Sequence, residues 1–167
     1  MGNPQLAKAA FDFEQYMRRV SGGPCFVCAF IAGDPGYRHH LVYENEDSIA
    51  FLARYPTLLG YCLVASKRHL ESWVHDMEQR EFLRFQGIVH AVARAIAATL
   101  PTERMYSMSL GSQEGNAHLH WHLAPLPPGV PYDQQQFHAV MAENGILGVD
   151  DDSQAALARD IRSRIQL

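Results

Sequence analysis

Histidine and apolar residues alternate through Ala117-His118-Leu119-His120-Trp121-His122-Leu123. A period of two is that of a β-strand with one buried face. It puts His118, His120 and His122 on one side and Leu119, Trp121 and Leu123 on the other. Three imidazoles then line roughly 13 Å of backbone at the usual rise per residue. Such a row is a poor core, because each buried ring nitrogen needs a partner. Two chemistries fit it. The row can bind a metal through two or three rings, or present one imidazole as nucleophile or general base with its neighbours in support.

A second set of candidates is Pro24-Cys25-Phe26-Val27-Cys28. A lone C-x-x-C is a redox pair, half of a zinc site, or two buried small apolar residues. No second C-x-x-C exists, so zinc needs two more ligands, and histidine is the obvious source in a chain with nine. His69, just after a strand-like run, becomes interesting as a third ligand. A redox pair would want a strand-to-helix junction here. Residues 29–36, ending Gly33-Asp34-Pro35-Gly36, read instead as a loop, which favours zinc.

The elements that must position these residues follow from periodicity. Apolar side chains at Leu6, Ala9, Ala10, Phe13, Tyr16, Met17 and Val20 predict a helix over residues 4–20, stopped by Gly22-Gly23-Pro24. His40–Glu44, Ser48–Ala53 and Tyr61–Ser66 read as three strands of an antiparallel meander, with Cys62 in the core. Asp76-Met77-Glu78-Gln79 has the capping-box form. From there to Thr99, one apolar face runs through Phe82, Phe85, Val89, Val92 and Ile96 of a long helix. Arg104–Leu110 reads as a strand, the Gly111–Asn116 segment as a turn, and the histidine strand completes a hairpin. After the extended Leu126–Pro131 run, two helices are expected, Asp133–Glu143 and Asp150–Ile165.

Composition narrows the function classes. The 167 residues suit one domain with a real core. A formal charge of -4 gives no reason to expect nucleic-acid or membrane-surface binding, and no apolar run reaches the roughly 18 residues of a membrane span. The first residues lack the pattern of a secretory signal, and three cysteines make no disulfide framework. A reduced, cytoplasmic protein is the expectation.

The strand-strand-strand-helix-hairpin order, with H-x-H-x-H on the last strand, resembles the histidine-triad (HIT) family over roughly residues 24–126. Val42-Tyr43-Glu44-Asn45-Glu46, Ile49-Ala50-Phe51, Tyr55-Pro56, Leu63-Val64 and Lys67-Arg68-His69 are similar to that family's first half in order and spacing. The resemblance implies an α+β nucleotide-binding domain, usually a homodimer, between an N-terminal helix (residues 1–23) and a C-terminal helical extension (127–167) packed on it. It implies attack at the α-phosphate of a nucleoside phosphate conjugate, a dinucleoside polyphosphate or a phosphoramidate, through a nucleotidyl-histidine intermediate. His120 matches the nucleophile, and His122 the residue that bonds the phosphate or leaving group. In the zinc-containing branch a Cys-x-x-Cys pair, a downstream histidine and the first triad histidine hold a structural zinc, which here implies Cys25, Cys28, His69 and His118. Phe51 corresponds to the base-lining position, and Asn116 is placed to bind phosphate. Three positions depart from the pattern. Ala53 stands where an acidic residue or Asn holds the ribose, Gly115-Asn116-Ala117 shortens the approach to the triad, and Leu126 replaces a common arginine. Ala53 keeps open a second expectation, a nucleotide-binding module with little turnover.

Overall fold

The computed structural model of the protein describes residues 7–167. In chain order the elements are β1 (Lys8–Ala9), α1 (Phe13–Gly22), α2 (Phe26–Ile31), β2 (Leu41–Glu44), β3 (Ser48–Leu52), β4 (Cys62–Ser66) and α3 (Gln79–Thr99). Then follow β5 (Arg104–Ser109), β6 (His120–Leu126), α4 (Phe137–Val140), β7 (Ile146–Leu147) and α5 (Asp151–Arg162). Five strands form one antiparallel sheet in the order β2-β3-β4-β6-β5, and β1 pairs with β7 apart from it. This is an α+β fold.

Period-two side-chain alternation divides the core between the two faces of the sheet. Ala50, Leu52, Cys62, Val64, Trp121 and Leu123 face α3 and α5, where Phe85, Val89, Val92, Ile96, Ala158 and Ile161 meet them. Ile49, Phe51, Leu63, Ala65, Ala124 and Leu126 face the other way, toward Val27 of α2 and Ala139 of α4. With helices covering both faces, β3 and β4 are buried along their whole length, which suits their unbroken apolar runs. On β6, His122 pairs with Leu63 and His120 with Ala65, so both imidazoles share the α2 face. Cys62 is a core residue, and burial pushes its thiol up to about 12.

Several elements differ from the sequence expectation. The N-terminal helix begins at Phe13, not residue 4, because Asp12 caps it by accepting from the Gln15 N–H, and Lys8–Ala9 is strand. Pro4 and Leu6 of the expected helix lie outside the described residues. Residues 29–36 are not all loop: α2 runs to Ile31, with Cys25 as its N-cap. The capping box does not form. α3 starts at Gln79 behind Glu78, and the Asp76 carboxylate instead accepts from the N–H groups of Glu71 and Ser72. α3 ends at Leu100, held extended (φ -124°, ψ 143°) by the proline that follows. The 133–143 helix is broken into the 3-10 turns Tyr132–Gln134 and Ala142–Asn144 around the single turn of α4, since Gln136 takes φ 55°. α5 forms as expected, capped by Asp150.

Candidate active site and metal cluster

α2 is the first positioning device. One helical turn separates Cys25 from Cys28, so both sulfurs lie on the same side of it. The Cys28 N–H reaches Cys25 Sγ at 3.5 Å. The second device joins two loops. The Leu119 N–H donates to the Leu70 carbonyl at 2.6 Å, which ties the approach to β6 against the segment that leaves β4. His118 and His69 thereby meet, with ring centroids 4.8 Å apart. The strand itself begins at His120, so His118 sits in the loop just before it, although its side chain shares the site.

Cys25, Cys28, His69 and His118 present four ligand atoms within 4.8 Å of one another. Cys25 Sγ is 3.3 Å from His118 Nδ1, and Cys28 Sγ is 3.3 Å from His69 Nδ1 and 3.5 Å from His118 Nδ1. A tetrahedron with bonds of about 2.0 Å to nitrogen and 2.3 Å to sulfur has edges of roughly 3.3–3.8 Å, so these spacings fit a small dication. The outer nitrogens are also engaged. His118 Nε2–H donates to the Ser66 carbonyl at 2.7 Å, and His69 Nε2–H to Glu71 Oε1 at 3.2 Å. Both rings therefore turn a bare Nδ1 toward the sulfurs, the tautomer that a metal ligand requires. Burial acts upward on both thiols, but contact with the His118 ring and hydrogen bonds from Cys28 outweigh it at Cys25, which falls to about 6. Cys28 rises to about 11 through burial and the adjacent Cys25 sulfur. The residues fit a Cys2His2 metal centre with no position left open.

Beside this cluster, His120 and His122 stand with ring centroids 4.7 Å apart. His120 is 3% exposed, and its Nδ1 lies 2.5 Å from the His118 carbonyl oxygen. A carbonyl only accepts, so Nδ1 carries the proton and Nε2 keeps its lone pair. Burial lowers the pKa of His120, which keeps the ring neutral. His122 is pushed down to about 3 by burial and by His120, its Nδ1 is 3.1 Å from the Tyr61 hydroxyl, and its Nε2 is buried without a partner among the described residues.

The two rings line a cavity of about 530 Å³ that also takes in Tyr61, Asn116, His39 and the aromatic side chains of α1. Asn116 is on its wall, at φ 55°, donating from Nδ2 to the Tyr16 hydroxyl at 2.7 Å. Phe51 is one layer deeper. It is fully buried under Phe26, Phe30 and His39, with centroids 6.2, 5.0 and 4.7 Å away. Sequence reasoning missed Tyr61, His39 and the whole contribution of α1. For Tyr61 a signal was present: it lies two residues before Leu63, the register partner of His122, and so on the histidine face. For α1 there was none, since only folding brings it to the site.

A sheet with two histidines of an H-x-H-x-H run on one central strand, and the third bound into a cysteine cluster beside them, defines a histidine-triad fold. The HIT domain family model matches residues 36–128, and the chain belongs to that family. The chain is 32% identical over 107 residues to an uncharacterized HIT-like protein of Mycobacterium tuberculosis, covering 63% of this chain and 72% of that one. It is 30% identical over 105 residues to the protein hit of Bacillus subtilis, covering 62% and 70%. Among solved structures, a hypothetical histidine triad nucleotide-binding protein from Sulfolobus tokodaii superposes with a TM-score of 0.67 at 22% identity, over 84% of this chain and 91% of that one. A zinc-bound histidine triad family protein from Mycobacterium smegmatis gives 0.62 at 21% identity, over 84% and 91%. At these identities the structures speak for the fold.

Proposed function

We propose that the protein is a nucleotide hydrolase or transferase acting at the α-phosphate of a nucleoside phosphate conjugate, a dinucleoside polyphosphate or a phosphoramidate. The observation that carries this reading is the bond from His120 Nδ1–H to the His118 carbonyl. It leaves His120 Nε2 as a neutral, oriented nucleophile on the wall of a nucleotide-sized cavity. Nε2 forms a bond to phosphorus as the bond to the leaving group breaks. Water or another acceptor then takes the nucleotidyl group and frees His120. Tyr61, whose pKa burial raises to about 12, keeps its proton and donates to His122 Nδ1. His122 Nε2–H is then available to a phosphate oxygen or the leaving group, so the two neighbouring rings carry opposite tautomers. Asn116 Nδ2 and the apolar layer over Phe51 are assigned to phosphate and base.

The same reading fills the Cys25, Cys28, His69 and His118 cluster with Zn2+, supported by the ligand spacings and the soft donor set. When bound, zinc braces the two loops and has no open position for a substrate. A homodimer completes the reading, supported by the free edge of β5 and by Leu83, 60% exposed on α3. A monomeric mass by light scattering would remove that part.

The test is AMP release from diadenosine tetraphosphate and adenosine phosphoramidates by wild type and His120→Ala side by side. Turnover by wild type alone, with a trapped AMP adduct on His120, is expected. Silence from both while AMP still binds would favour the binding-module reading, to which Ala53 lends support by leaving that stretch of the cavity wall without a carboxylate.

A further inference from the structure

One wall of the cavity is built from α1 and from the residues that follow β3. Arg19 of α1 and Arg54 meet there. Both donate to the same acceptor, the Gly36 carbonyl oxygen, Arg19 through Nη2 and Arg54 through Nη1 at 3.0 Å. Two donors on one oxygen hold the guanidinium groups side by side, where like charges repel. Among the described residues neither has a carboxylate within 4.0 Å, although Arg18, Arg68 and Lys67 are each paired with one. The chain has 18 acidic side chains, so carboxylates are not scarce. The nearby Asp34 spends Oδ1 on the Gly36 N–H, at 2.8 Å, and residue 53 is alanine.

Each guanidinium also rests against an aromatic ring, Arg19 at 4.5 Å from the centroid of Tyr37 and Arg54 at 5.9 Å from that of Tyr55. Stacking fixes the plane of an arginine and leaves its N–H edges free, and each arginine has five donors of which one is used here. His39 lies between this corner and Phe51, with a buried Nδ1 that has no partner among the described residues. After burial, the two arginines are among the causes that lower its pKa to about 4, which marks how much positive charge converges on this wall.

We propose that Arg19 and Arg54 form a subsite for a second phosphoryl group of the substrate, separate from the phosphate that faces His120. The proposal rests on the nucleotide reading above and narrows its substrate class to conjugates carrying an additional anionic phosphate. That group is either a further phosphate in a polyphosphate chain or a phosphate ester on the ribose. Planar, paired guanidinium groups are the usual protein answer to both. Arg19 lies outside the family's matched residues 36–128, so this preference belongs to the chain's own N-terminal helix.

Calorimetric titration of the full-length protein with AMP, ADP and adenosine 3′,5′-bisphosphate tests it, in wild type, Arg19→Met and Arg54→Met. Methionine keeps much of the apolar stem while removing the charge. Wild type is expected to bind one of the two doubly phosphorylated ligands at least about tenfold more tightly than AMP, as one charge-assisted contact allows. Each variant loses that advantage and keeps its affinity for AMP. Preference for ADP identifies the chain phosphate, and preference for the bisphosphate identifies the ribose ester. Equal binding of all three by wild type overturns the subsite while leaving the nucleotide pocket standing, and so does an advantage that survives both substitutions. No binding of any of them overturns both readings. Thermal melts of the variants, and Arg54→Lys as a charge-keeping control that should retain part of the preference, separate loss of the subsite from loss of the fold.

Discussion

His118 serves both halves of the site through different atoms. Its ring belongs to the cysteine cluster, while its carbonyl fixes the tautomer of His120. Tyr61 does the corresponding work for His122. Tyr61→Phe removes the hydroxyl and leaves His122 free to take either tautomer. We expect kcat to fall roughly ten- to a hundredfold, the range for an orphaned buried hydrogen bond, with KM and the melting temperature little changed. A fall confined to KM would assign Tyr61 to binding instead. Two partly buried histidines also make stability depend on pH. His39 is lowered to about 4 and His122 to about 3 from an ordinary 6.5, in both cases first by burial. Near pH 6.5 and below, the unfolded chain takes up protons that the folded protein refuses. Their stabilisation is whole above pH 6.5 and is lost as pH falls from there toward 4 and 3. The slope is at most about 1.4 kcal/mol per pH unit for each group. Melts between pH 7.5 and 4 should show it, and His39→Phe should flatten the curve relative to wild type. An unchanged slope would place the proton uptake elsewhere.

At the scale of elements, the sequence was most legible where one period ruled. The β6 alternation, the apolar face of α3 and the mostly apolar β3 and β4 each follow from local pattern, and each forms. It was least legible where a polar side chain had two possible partners. Asp76 looked like a helix cap but serves the N–H groups of Glu71 and Ser72, next to His69. Gln136 looked like a helix interior and sits at φ 55°. Cys25, Cys28 and His69 are candidate ligands from the residues themselves, but the complete set with His118 comes from the family resemblance, since nothing in their spacing says that the loops holding His69 and His118 are pinned together by the Leu119 N–H. That joint is testable. Cys28→Ser should lose bound metal and cost on the order of 3 kcal/mol, within the range of the larger single-site losses, read by metal analysis and melting together. The other joint is between α1 and the Gly111–Asn116 segment. A Cβ on Gly115 would stand 2.4 Å from Val20 Cγ1. Gly115→Ala should therefore push α1 off the cavity and raise KM, and adding Val20→Ala should restore it. A double variant as poor as the single one would show that the clash was not the cause.

Across the whole molecule, the two terminal helices are attached in different ways. α5 buries Ala158 and Ile161 against α3 and β2, and Arg162 donates to the Val42 carbonyl at 3.2 Å. α1 buries no residue fully and leans on the rim of the cavity. Removing residues 151–167 should prevent folding by opening the core, whereas removing residues 1–22 should leave a folded sheet with its Cys25, Cys28, His69 and His118 cluster intact and an altered ligand range. Circular dichroism and metal content check both truncations. No helix among the described residues is long and apolar enough to cross a membrane. The hydrogen bond that orients His120 ends on main chain, and this has a consequence for how such a protein changes over generations. No side-chain replacement at position 118 can delete that acceptor, provided the backbone path is kept. A lineage can therefore trade away its cysteines, and the imidazole of residue 118 with them, and still inherit an oriented imidazole two residues later.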